Sequence, residues 1–531
     1  MNHSQNKPED LSSFFLEMDK QINDVQGLIR RGYKSLPAAQ FLLLRIEDGT
    51  EAKKYFNLLA DSFITSSNKP KTGAPPNYFD DKKAVQIAFT SSGLKQLGLA
   101  ENILSTFSRE FIEGMSFSYP DPHNPGEKIR ERSILLGDVK SSDPKNWHWG
   151  NEDQRVDAIL LLYAETKEAL EKLRTDCYES LQKGLSLVYN AETYPYNPKE
   201  AIREHFGFSD GISQPIIKGF KKSAEASKEQ LLNPGDIILG HKNEYGSFSP
   251  SPWFEENGMK TDLDPVLGFN TRKDLGKNGS YLVFRQMEQH VESFYHFVFT
   301  SSKEIAADPD AKAIKLAAKM VGRWPEGQSL AVCPELPCKP DHDLNNFLYY
   351  EADKAGTGCP FGAHVRRTNP RDQVHAGRDG DSNLSLAMSK KHRILRRGRI
   401  YGEPLGKELK AESILKTAKN NAFKSKWIPN ENAKTNINRG IHFMCFVSDL
   451  SRQFEFIQSV WSNTSSFAEL NNEVDPIISP RPTPDQRECH EFTTPQAIVR
   501  NRYKNVPEFT TVVGGAYFFM PGIRALKFIL K

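Results

Sequence analysis

The sequence predicts a duplicated α+β fold with mostly antiparallel sheets, and the first half of the chain carries one copy of the pattern. Residues 37–46 and 84–90 are short apolar runs of the kind that form buried strands. Residues 156–164 are a third such run, which leads into a charged amphipathic helix at 165–182, and a fourth strand is predicted at 185–191. The order of these elements resembles a split βαβ unit.

The second half of the chain repeats this order of elements. A strand predicted at 279–286 leads into a helix at 288–299, and a strand at 440–447 leads into a helix at 449–461. A last strand is predicted at 512–520. Because no literal sequence repeat accompanies this order, the duplication is predicted at the level of the fold only.

The predicted domain organisation has three parts: an N-terminal half at 22–217, a connector at 218–278 and a C-terminal half at 279–525. The connector is rich in Gly, Pro, Asn and Lys, which is the composition of long surface loops rather than of core. A second polar segment, 403–439, carries many lysines, and we interpret it as a solvated face rather than a binding surface.

Composition and charge exclude several classes of function. The 38% of hydrophobic and 26% of charged residues are typical of a globular protein. The 70 Lys and Arg residues against 67 Asp and Glu leave a net charge of +3, which argues against a nucleic-acid partner. No apolar run approaches the ~18 residues of a membrane span. Residues 1–20 are acidic and contain no apolar leader, so we expect a cytoplasmic protein without a membrane contact.

The six cysteines are sparse, and in a reducing compartment we expect them to remain thiols. Four residues separate Cys333 from Cys338, where a zinc knuckle would have two, and no second Cys or His pair has matching spacing. A structural zinc site is therefore not favoured.

The first segment that could carry chemistry is 207–211 (GFSDG). It matches the G-x-S-x-G elbow of serine hydrolases, which requires an apolar strand before it and a helix after it. Residues 201–206 are charged and mixed and Pro215 would break a helix, so nucleophilic catalysis by Ser209 is a disfavoured alternative. The small neighbours would instead let the Asp210 carboxylate approach a ligand and shuttle a proton, although Asp-Gly pairs also commonly close turns.

The second segment is 359–371 (CPFGAHVRRTNPR), in which three arginines follow His364 within seven positions. A neutral imidazole beside guanidinium groups suits an iron ligand next to carboxylates, because arginine pairs with carboxylates bidentately and stays charged when partly buried. An ordinary surface arginine patch is the competing interpretation.

The third segment is 392–402 (HRILRRGRIYG), where alternation along a strand would place Ile394, Arg396 and Gly398 on one face. A buried arginine among apolar residues needs an anionic partner, because an unpaired buried charge costs several kcal/mol. Haem, peroxide or a carboxylate would serve, and a plain structural salt bridge is the alternative.

In this order the three segments resemble the dye-decolorizing peroxidase family, specifically its longer, cytosolic bacterial-type members. Further similar stretches are 25–29, 234–246 (PGDIILGHKNEYG), 322–325 (GRWP) and 514–519 (GGAYFF), so the resemblance covers roughly 22–525. The sequence departs from the family at 399–401 (RIY), where members commonly show Ile-Pro-Tyr.

The resemblance implies a fold of two ferredoxin-like halves with peripheral helices, a dimeric α+β barrel-like arrangement, with haem held mainly by the second half. It implies haem b whose iron takes His364 as its proximal ligand, with Asp210 and Arg396 on the distal side. Asp475 matches the acidic residue that accepts a hydrogen bond from the ligand histidine. The remaining implied cofactor contacts are apolar distal residues and propionate partners, namely Ile441, Phe443, Arg366 and Arg371, together with Arg396 itself.

The activity implied is reduction of hydrogen peroxide, with one-electron oxidation of dyes, phenolics or other aromatic donors. Asp210 would shuttle the peroxide proton and Arg396 would stabilise charge on the departing oxygen. Because an aspartate is ionised at acidic pH where histidine is protonated, activity is expected to persist in acid. Bulky dyes would need surface radical sites, for which Tyr401 and Trp461 are candidates unless they simply pack. A haem carrier or sensor without turnover is the second alternative, and a homo-oligomer is possible.

Overall fold

The computed structural model describes residues 18, 20–67, 82–124, 126, 128–220, 226–257, 261–302, 308–339, 344–374, 381–422, 438–481, 491–495 and 499–531. The strands in these ranges are, in chain order, β1 (Ala38–Ile46), β2 (Lys83–Phe89), β3 (Tyr119–Pro120), β4 (Lys128–Ile129), β5 (Ala158–Ala164), β6 (Leu185–Glu192), β7 (Ile216–Ile217), β8 (Leu231–Leu232), β9 (Trp253–Glu255), β10 (Pro265–Val266), β11 (Phe269–Asp274), β12 (Ser280–Gln289), β13 (Leu395–Arg396), β14 (Arg399–Tyr401), β15 (Gly440–Val447), β16 (Phe492–Pro495), β17 (Arg500–Tyr503) and β18 (Thr510–Met520).

The α-helices are α1 (Gly27–Arg30), α2 (Gly49–Ser62), α3 (Ser91–Gln96), α4 (Glu101–Leu104), α5 (Arg109–Glu113), α6 (Glu131–Leu136), α7 (Lys167–Arg174), α8 (Val291–Thr300), α9 (Pro309–Val321), α10 (Tyr349–Asp353), α11 (His364–Thr368), α12 (Ser382–Lys391), α13 (Ala411–Ala422) and α14 (Ile523–Ile529). Short 3₁₀ turns occupy Lys140–Ser142, Pro144–Asn146, Pro234–Asp236 and Phe467–Glu469, and π-helical turns occupy Thr175–Glu179, Ser451–Glu455 and Ile457–Ser462.

One large sheet combines the two halves of the chain. Within the described ranges its order is β13-β15-β12-β18-β2-β5-β1-β6, with β14 also paired to β15, and all these pairings are antiparallel. In each half the strands occur in the order second, third, first, fourth, which is the ferredoxin-like arrangement. Phe89 of β2 pairs with Phe519 of β18 where the halves join. The predicted duplicated α+β fold with mostly antiparallel sheets is confirmed.

The two faces of this sheet bury different parts of the chain, because successive side chains on a strand point to opposite sides. Leu42 and Leu44 of β1 face a cluster with the apolar sides of α2, α7 and α14. Phe41 and Leu43 face the opposite cluster, which is closed by Leu28 and other residues of the N-terminal segment. With both faces covered, the central strands are almost entirely buried, as their continuous apolar runs predict.

A layer of helices in the C-terminal half forms the third cluster of buried side chains. Helices α8, α9 and α13 pack together there. Helix α9 begins at Pro309 after the capping carboxylate of Asp308, and it ends at Gly322, whose φ of 101° is left-handed. The same cluster takes in Phe208 from the GFSDG segment and Ala363 from the His364 segment. The helical layer is therefore the common support of both segments.

One expectation about surface loops was wrong. The connector at 218–278 contributes core, because Ile237, Ile238 and Leu239 are fully buried and β8 pairs with β7. The polar segment at 403–439 contains α13, whose Ile414 and Leu415 are buried in the third cluster. Of the described lysines in this segment, Lys407, Lys410 and Lys416 are exposed, in agreement with the expected solvated face. Residues 423–437 of this segment lie outside the described residues.

The expectation that all cysteines remain thiols was also wrong for one pair. Cys333 and Cys338 form a disulfide, whereas Cys177, Cys359 and Cys445 are free and buried. Cys489 lies outside the described residues. Across the helices of the described ranges, none is long and apolar enough to cross a membrane.

Candidate functional site

The distal candidates Asp210 and Arg396 form an ion pair. Arg396 Nη1 donates to Asp210 Oδ1 at 3.0 Å, and the side chains are 31% and 36% exposed, so solvent or a ligand reaches both. The backbone amide of Asp210 donates to Ile202 O at 2.8 Å. Gly207 has a φ of +89°, and a Cβ there would lie 2.7 Å from the amide nitrogen of Ala411. The close approach to α13 therefore requires glycine at the start of this segment.

Arg396 reaches this position because of the strand it belongs to. On β13 it pairs with Cys445 of β15, and its backbone amide donates to Gln214 Oε1 at 3.0 Å. Arg397 points the other way and donates to Leu28 O and Ile29 O. The alternation predicted for this strand therefore holds, since neighbouring arginines serve opposite faces.

The apolar candidates lie on the same face as Arg396. Phe443 is two residues from Cys445 along β15 and Ile441 four residues away, and alternation places all three on one side of the sheet. Phe443 is only partly buried and packs against the Phe454 ring, with centroids 6.2 Å apart. Ile441 and Phe443 therefore form a half-exposed apolar surface on the same side of the sheet as Arg396.

The proximal candidate His364 begins α11, and its ring is held by Asp475. His364 Nδ1 lies 2.8 Å from Asp475 Oδ2; the imidazole is 26% exposed and the carboxylate is fully buried. The other carboxylate oxygen accepts the amides of Ile477 at 2.8 Å and Ile478 at 3.1 Å. Burial opposes ionisation of Asp475, but the charge and hydrogen bond of His364 and the nearby Arg367 outweigh it and lower the pKa. A carboxylate on Nδ1 leaves Nε2 as the nitrogen that can bind a metal.

Arg366, expected to contact a propionate, is instead built into the fold. Its guanidinium is fully buried, and Nη1 lies 2.9 Å from Asp353 Oδ2. Nη2 donates to Asp353 O at 2.9 Å and to Gln373 Oε1 at 2.5 Å. The rings of Tyr349 and Phe361 flank it at 4.3 and 4.2 Å. Because Asp353 already pairs with its charge, this arginine orders the His364 segment, and the geometry does not support the propionate role.

Arg371 is buried as well, and its bonds lie within a neighbouring loop. Nη1 donates to Asn345 O and Phe347 O, each at 2.9 Å, and Nη2 donates to Asn345 Oδ1 at 2.5 Å. These three acceptors are neutral, and they hold the Arg371 guanidinium against the 345–347 loop.

Sequence reasoning assigned no role to Arg323, although its segment stood out as family-like. Arg323 is buried, and its hydrogen-bond partners are the neutral Gly327 O, Leu344 O and Ser213 Oγ at 2.7, 2.9 and 2.8 Å. Burial, followed by the nearby charge of Arg371 and more weakly that of Arg396, lowers the pKa of Arg323 to about 10. The feature of the sequence that could have identified Arg323 is its position directly after Gly322, the glycine that ends α9.

Residues 322–329, which we call the bracing segment, contact both halves of the site. On one side, Cys359 Sγ of the His364 segment lies 3.8 Å from Gly322 O, and a Cβ at Gly322 would lie 3.2 Å from Val365 Cβ. On the other side, Pro325 O accepts the amide of Ser209 at 2.8 Å, directly before Asp210. The structure therefore brings the proximal and distal candidates to one region through a shared support.

The serine-hydrolase alternative lacks its base. In the described part of the chain, Ser209 Oγ is buried and has no hydrogen-bond partner. An activated serine needs a base within hydrogen-bonding distance. The imidazole of the site, His364, is paired with Asp475 instead.

Tyr401 and Trp461 are not surface residues, so the alternative that they simply pack fits both, and they are not surface radical sites. They are 6% and 5% exposed. The Tyr401 ring stacks on His442 with centroids 4.5 Å apart, and Trp461 meets the His392 ring edge-on at 5.2 Å. Bulky molecules cannot touch either ring.

The donor set fits haem. An imidazole with a carboxylate on Nδ1 is the usual arrangement of a metal-binding histidine. The charges of Arg371 and Arg396 act on the buried guanidinium of Arg323, and Arg396 pairs with the carboxylate of Asp210. The buried guanidinium of Arg323, which donates to neutral acceptors, suits the carboxylates of this cofactor.

Known proteins resemble this chain in sequence and in fold. No family model matches the chain. The curated dye-decolorizing peroxidase msp1 of Mycetinis scorodonius is 25% identical over 522 residues, which cover 96% of this chain and 88% of that protein. The crystal structure of a decolorizing peroxidase from Auricularia auricula-judae has a TM-score of 0.70 at 24% identity, covering 96% of this chain and 99% of its own. A dye-decolorizing peroxidase in complex with 2,6-dimethoxyphenol has a TM-score of 0.69 at 22% identity, covering 96% and 99%. The shared fold is that of these enzymes.

Proposed function

We propose that this protein is a haem peroxidase of the dye-decolorizing type, which reduces hydrogen peroxide and oxidises dyes, phenolics or other aromatic donors in one-electron steps. The observation that carries the proposal is the pairing of His364 with buried Asp475 in the same region as the Asp210–Arg396 ion pair. The named relatives and the 2,6-dimethoxyphenol complex support the reaction and the donor class.

Haem, when bound, would supply the iron that reduces peroxide and oxidises the electron donors. His364 Nε2 would hold the iron, and Asp475 would keep the proton on Nδ1 and increase the basicity of the ring. Arg396, Arg371 and Arg323 are the cations assigned to the carboxylates of the cofactor, with Arg323 taking the place first assigned to Arg366. The sequence contains no C-x-x-C-H attachment motif, which favours non-covalent haem b.

Asp210 moves the proton in this mechanism. Its carboxylate takes the proton from one oxygen of hydrogen peroxide and returns it to the other oxygen, which leaves as water when the O–O bond breaks. The partial exposure of Asp210 supports access of peroxide to its oxygens.

Arg396 supplies a positive charge beside that transfer. At 3.0 Å from Asp210 Oδ1 it orients the carboxylate, and it stabilises negative charge on the departing oxygen. A guanidinium stays protonated throughout, so Arg396 neither takes nor supplies the proton that Asp210 transfers. Ile441 and Phe443 exclude water from this side.

The visible spectrum of haemin-reconstituted protein, recorded before and after one equivalent of hydrogen peroxide, tests the proposal. We expect an intense Soret band that changes with peroxide and is restored by a phenolic donor. His364→Ala should lose the band, whereas Asp210→Asn should keep it and lose turnover. A haem carrier would retain its function in Asp210→Asn, and a protein that refuses haemin would overturn the proposal.

Three narrower assignments remain predictions. These are membership of the longer, cytosolic bacterial-type subgroup, a cytoplasmic location, and a homo-oligomeric state. The relatives found include fungal proteins, so they do not support the subgroup. We also propose domain boundaries at 217/218 and 278/279.

A further inference from the structure

The disulfide between Cys333 and Cys338 closes a short loop directly after the bracing segment. The two Cα atoms are 5.9 Å apart, a normal separation for bridged cysteines, and the residues are five positions apart in sequence. The proposed function makes no use of this bridge. Its position nevertheless connects it to the proton-transferring residue through a chain of hydrogen bonds.

The first links join the two cysteines to the bracing segment. Cys333 O accepts the indole Nε1 of Trp324 at 2.8 Å, and Cys338 O accepts the side-chain amide of Gln328 at 3.1 Å. The backbone amide of Cys333 also donates to Ser329 O at 2.9 Å. Each cysteine therefore anchors one side chain of the bracing segment, and the disulfide sets the distance between the two anchors.

The next links join the bracing segment to the Asp210 segment. Besides the bond from the Ser209 amide to Pro325 O at 2.8 Å, Arg323 Nη2 donates to Ser213 Oγ at 2.8 Å. Gly327 has a φ of +105°, and a Cβ there would collide with Ile212. Asp210 thus lies between two residues, Ser209 and Ser213, that are both held by the bracing segment.

The disulfide is accessible to small molecules from one side. Cys333 is buried, but Cys338 is half-buried, and the flanking Val332 and Leu336 are 43% and 76% exposed. A dithiol or a peroxide can therefore approach at Cys338, whereas Cys177, Cys359 and Cys445 are buried.

We propose that Cys333 and Cys338 are a reversible redox site that controls how firmly Asp210 is held. This rests on the proposed function only for the identity of the oxidant, hydrogen peroxide. One thiolate sulfur attacks a peroxide oxygen, so that an S–O bond forms, the O–O bond breaks and water leaves. The second sulfur then attacks the first, the S–S bond forms, the S–O bond breaks and a second water leaves. Two thiols lose two electrons and two protons, and one peroxide becomes two waters.

A dithiol reverses the oxidation, because its own two sulfurs form a disulfide as Cys333 and Cys338 regain their protons. Reduction removes the covalent closure of the loop, so the two carbonyl anchors move independently and Trp324 and Gln328 hold the bracing segment less tightly. Asp210 is then less well positioned against Arg396. Exposure to its own oxidant thus converts the enzyme to the more ordered form.

Hydrogen–deuterium exchange on the intact chain tests the coupling without relying on activity. We compare protein treated with dithiothreitol, then freed of it, against protein treated with one equivalent of hydrogen peroxide, and count thiols by mass spectrometry. We expect at least threefold faster exchange in the peptide 205–214 of the reduced protein, while a peptide within β18 stays unchanged. Equal exchange in both forms, or a pair that remains as thiols after peroxide, would refute the redox site.

Matched variants distinguish the effect of losing the Cys333–Cys338 disulfide from other effects of the reductant. Cys333→Ser combined with Cys338→Ser should resemble the reduced protein and should not respond to dithiothreitol, whereas Cys177→Ser, a remote buried thiol, should respond like wild type. With haem bound, reduction should lower kcat/KM for peroxide at an unchanged Soret intensity, and lost Soret intensity instead would refute an action through Asp210. If no variant shows any peroxidase turnover, the proposed function fails, and the exchange comparison still decides the redox site.

Discussion

His364 Nδ1 and Asp475 Oδ2 are 2.8 Å apart, and the carboxylate is completely enclosed while the imidazole is partly exposed. The second Asp475 oxygen accepts two backbone amides, so both oxygens are engaged. A ring held in this way has one free nitrogen with a defined direction. The pair is thus suited to present Nε2 to a metal rather than to stabilise the fold alone.

Asp475→Asn should weaken haem binding by about 10- to 100-fold, because the amide keeps the shape but loses the charge that holds the Nδ1 proton. The measurement is the haem dissociation rate, followed by transfer to an excess of apomyoglobin. Glu473→Gln, two residues away, provides a control with the same chemical change. An unaltered rate in Asp475→Asn would show that the carboxylate has no influence on the cofactor.

Arg396→Leu should lower kcat/KM for peroxide by about 10²- to 10³-fold, since no cation would stabilise the departing oxygen. Arg396→Lys should restore part of the loss, because it keeps the charge but not the planar fork. Stopped-flow mixing with peroxide measures this directly. Arg397→Lys is the matched control on the opposite face of the same strand. If Arg397→Lys had the larger effect on the peroxide rate, the assignment of faces would be wrong.

Arg323→Gln should weaken haem binding and also destabilise the fold by roughly 1–3 kcal/mol, because buried hydrogen-bond acceptors lose their partner. Urea unfolding of haem-free protein measures the second effect, and haem titration measures the first. Removing one of several neighbouring cations should also make haem binding less sensitive to salt. Unchanged haem affinity in a destabilised variant would assign Arg323 a purely structural role.

Glu204 should make the protein less stable as the pH rises from 4.5 through about 7. Burial raises its pKa from 4.5 to about 7, against the opposing hydrogen bonds from Gln289 and two backbone amides. The folded state therefore binds the proton more tightly than the unfolded chain, and this contribution is complete below pH 4.5 and is lost as the pH rises through about 7.

Glu204→Gln removes this titration, so the wild type should lose stability relative to the variant between pH 4.5 and 7.5. Urea unfolding at several pH values gives the difference, with the exposed Glu200→Gln as control. A constant difference in the free energy of unfolding across this range would contradict the expectation.

Tyr401→Phe and Trp461→Phe should each change the turnover of a bulky dye less than twofold, since neither buried ring can contact the dye. Steady-state rates with a bulky dye and with a small phenol provide the comparison. A tenfold loss confined to the bulky dye, with haem content unchanged, would instead assign one of these rings to electron transfer from the surface.

The sequence by itself determined the fold class and most of the site candidates. A continuous apolar run such as Ala158–Ala164 predicts a strand that is buried on both faces, and the run can be recognised without knowing the partners of the strand. The single-residue alternation around Arg396 likewise follows from strand geometry alone. His364, Asp210 and Arg396 could be identified from the short sequence motifs that contain them.

Only the tertiary structure decided what each arginine and cysteine contacts. The sequence does not distinguish the roles of Arg366 and Arg323. In the structure, Arg366 is buried and paired with Asp353, whereas Arg323 donates to neutral acceptors and lies near other cations. The burial of Tyr401 likewise depends on a distant segment, because its ring stacks on His442. Long charged side chains reach several ångströms and choose among partners remote in sequence, so their roles follow from packing, which local patterns do not encode.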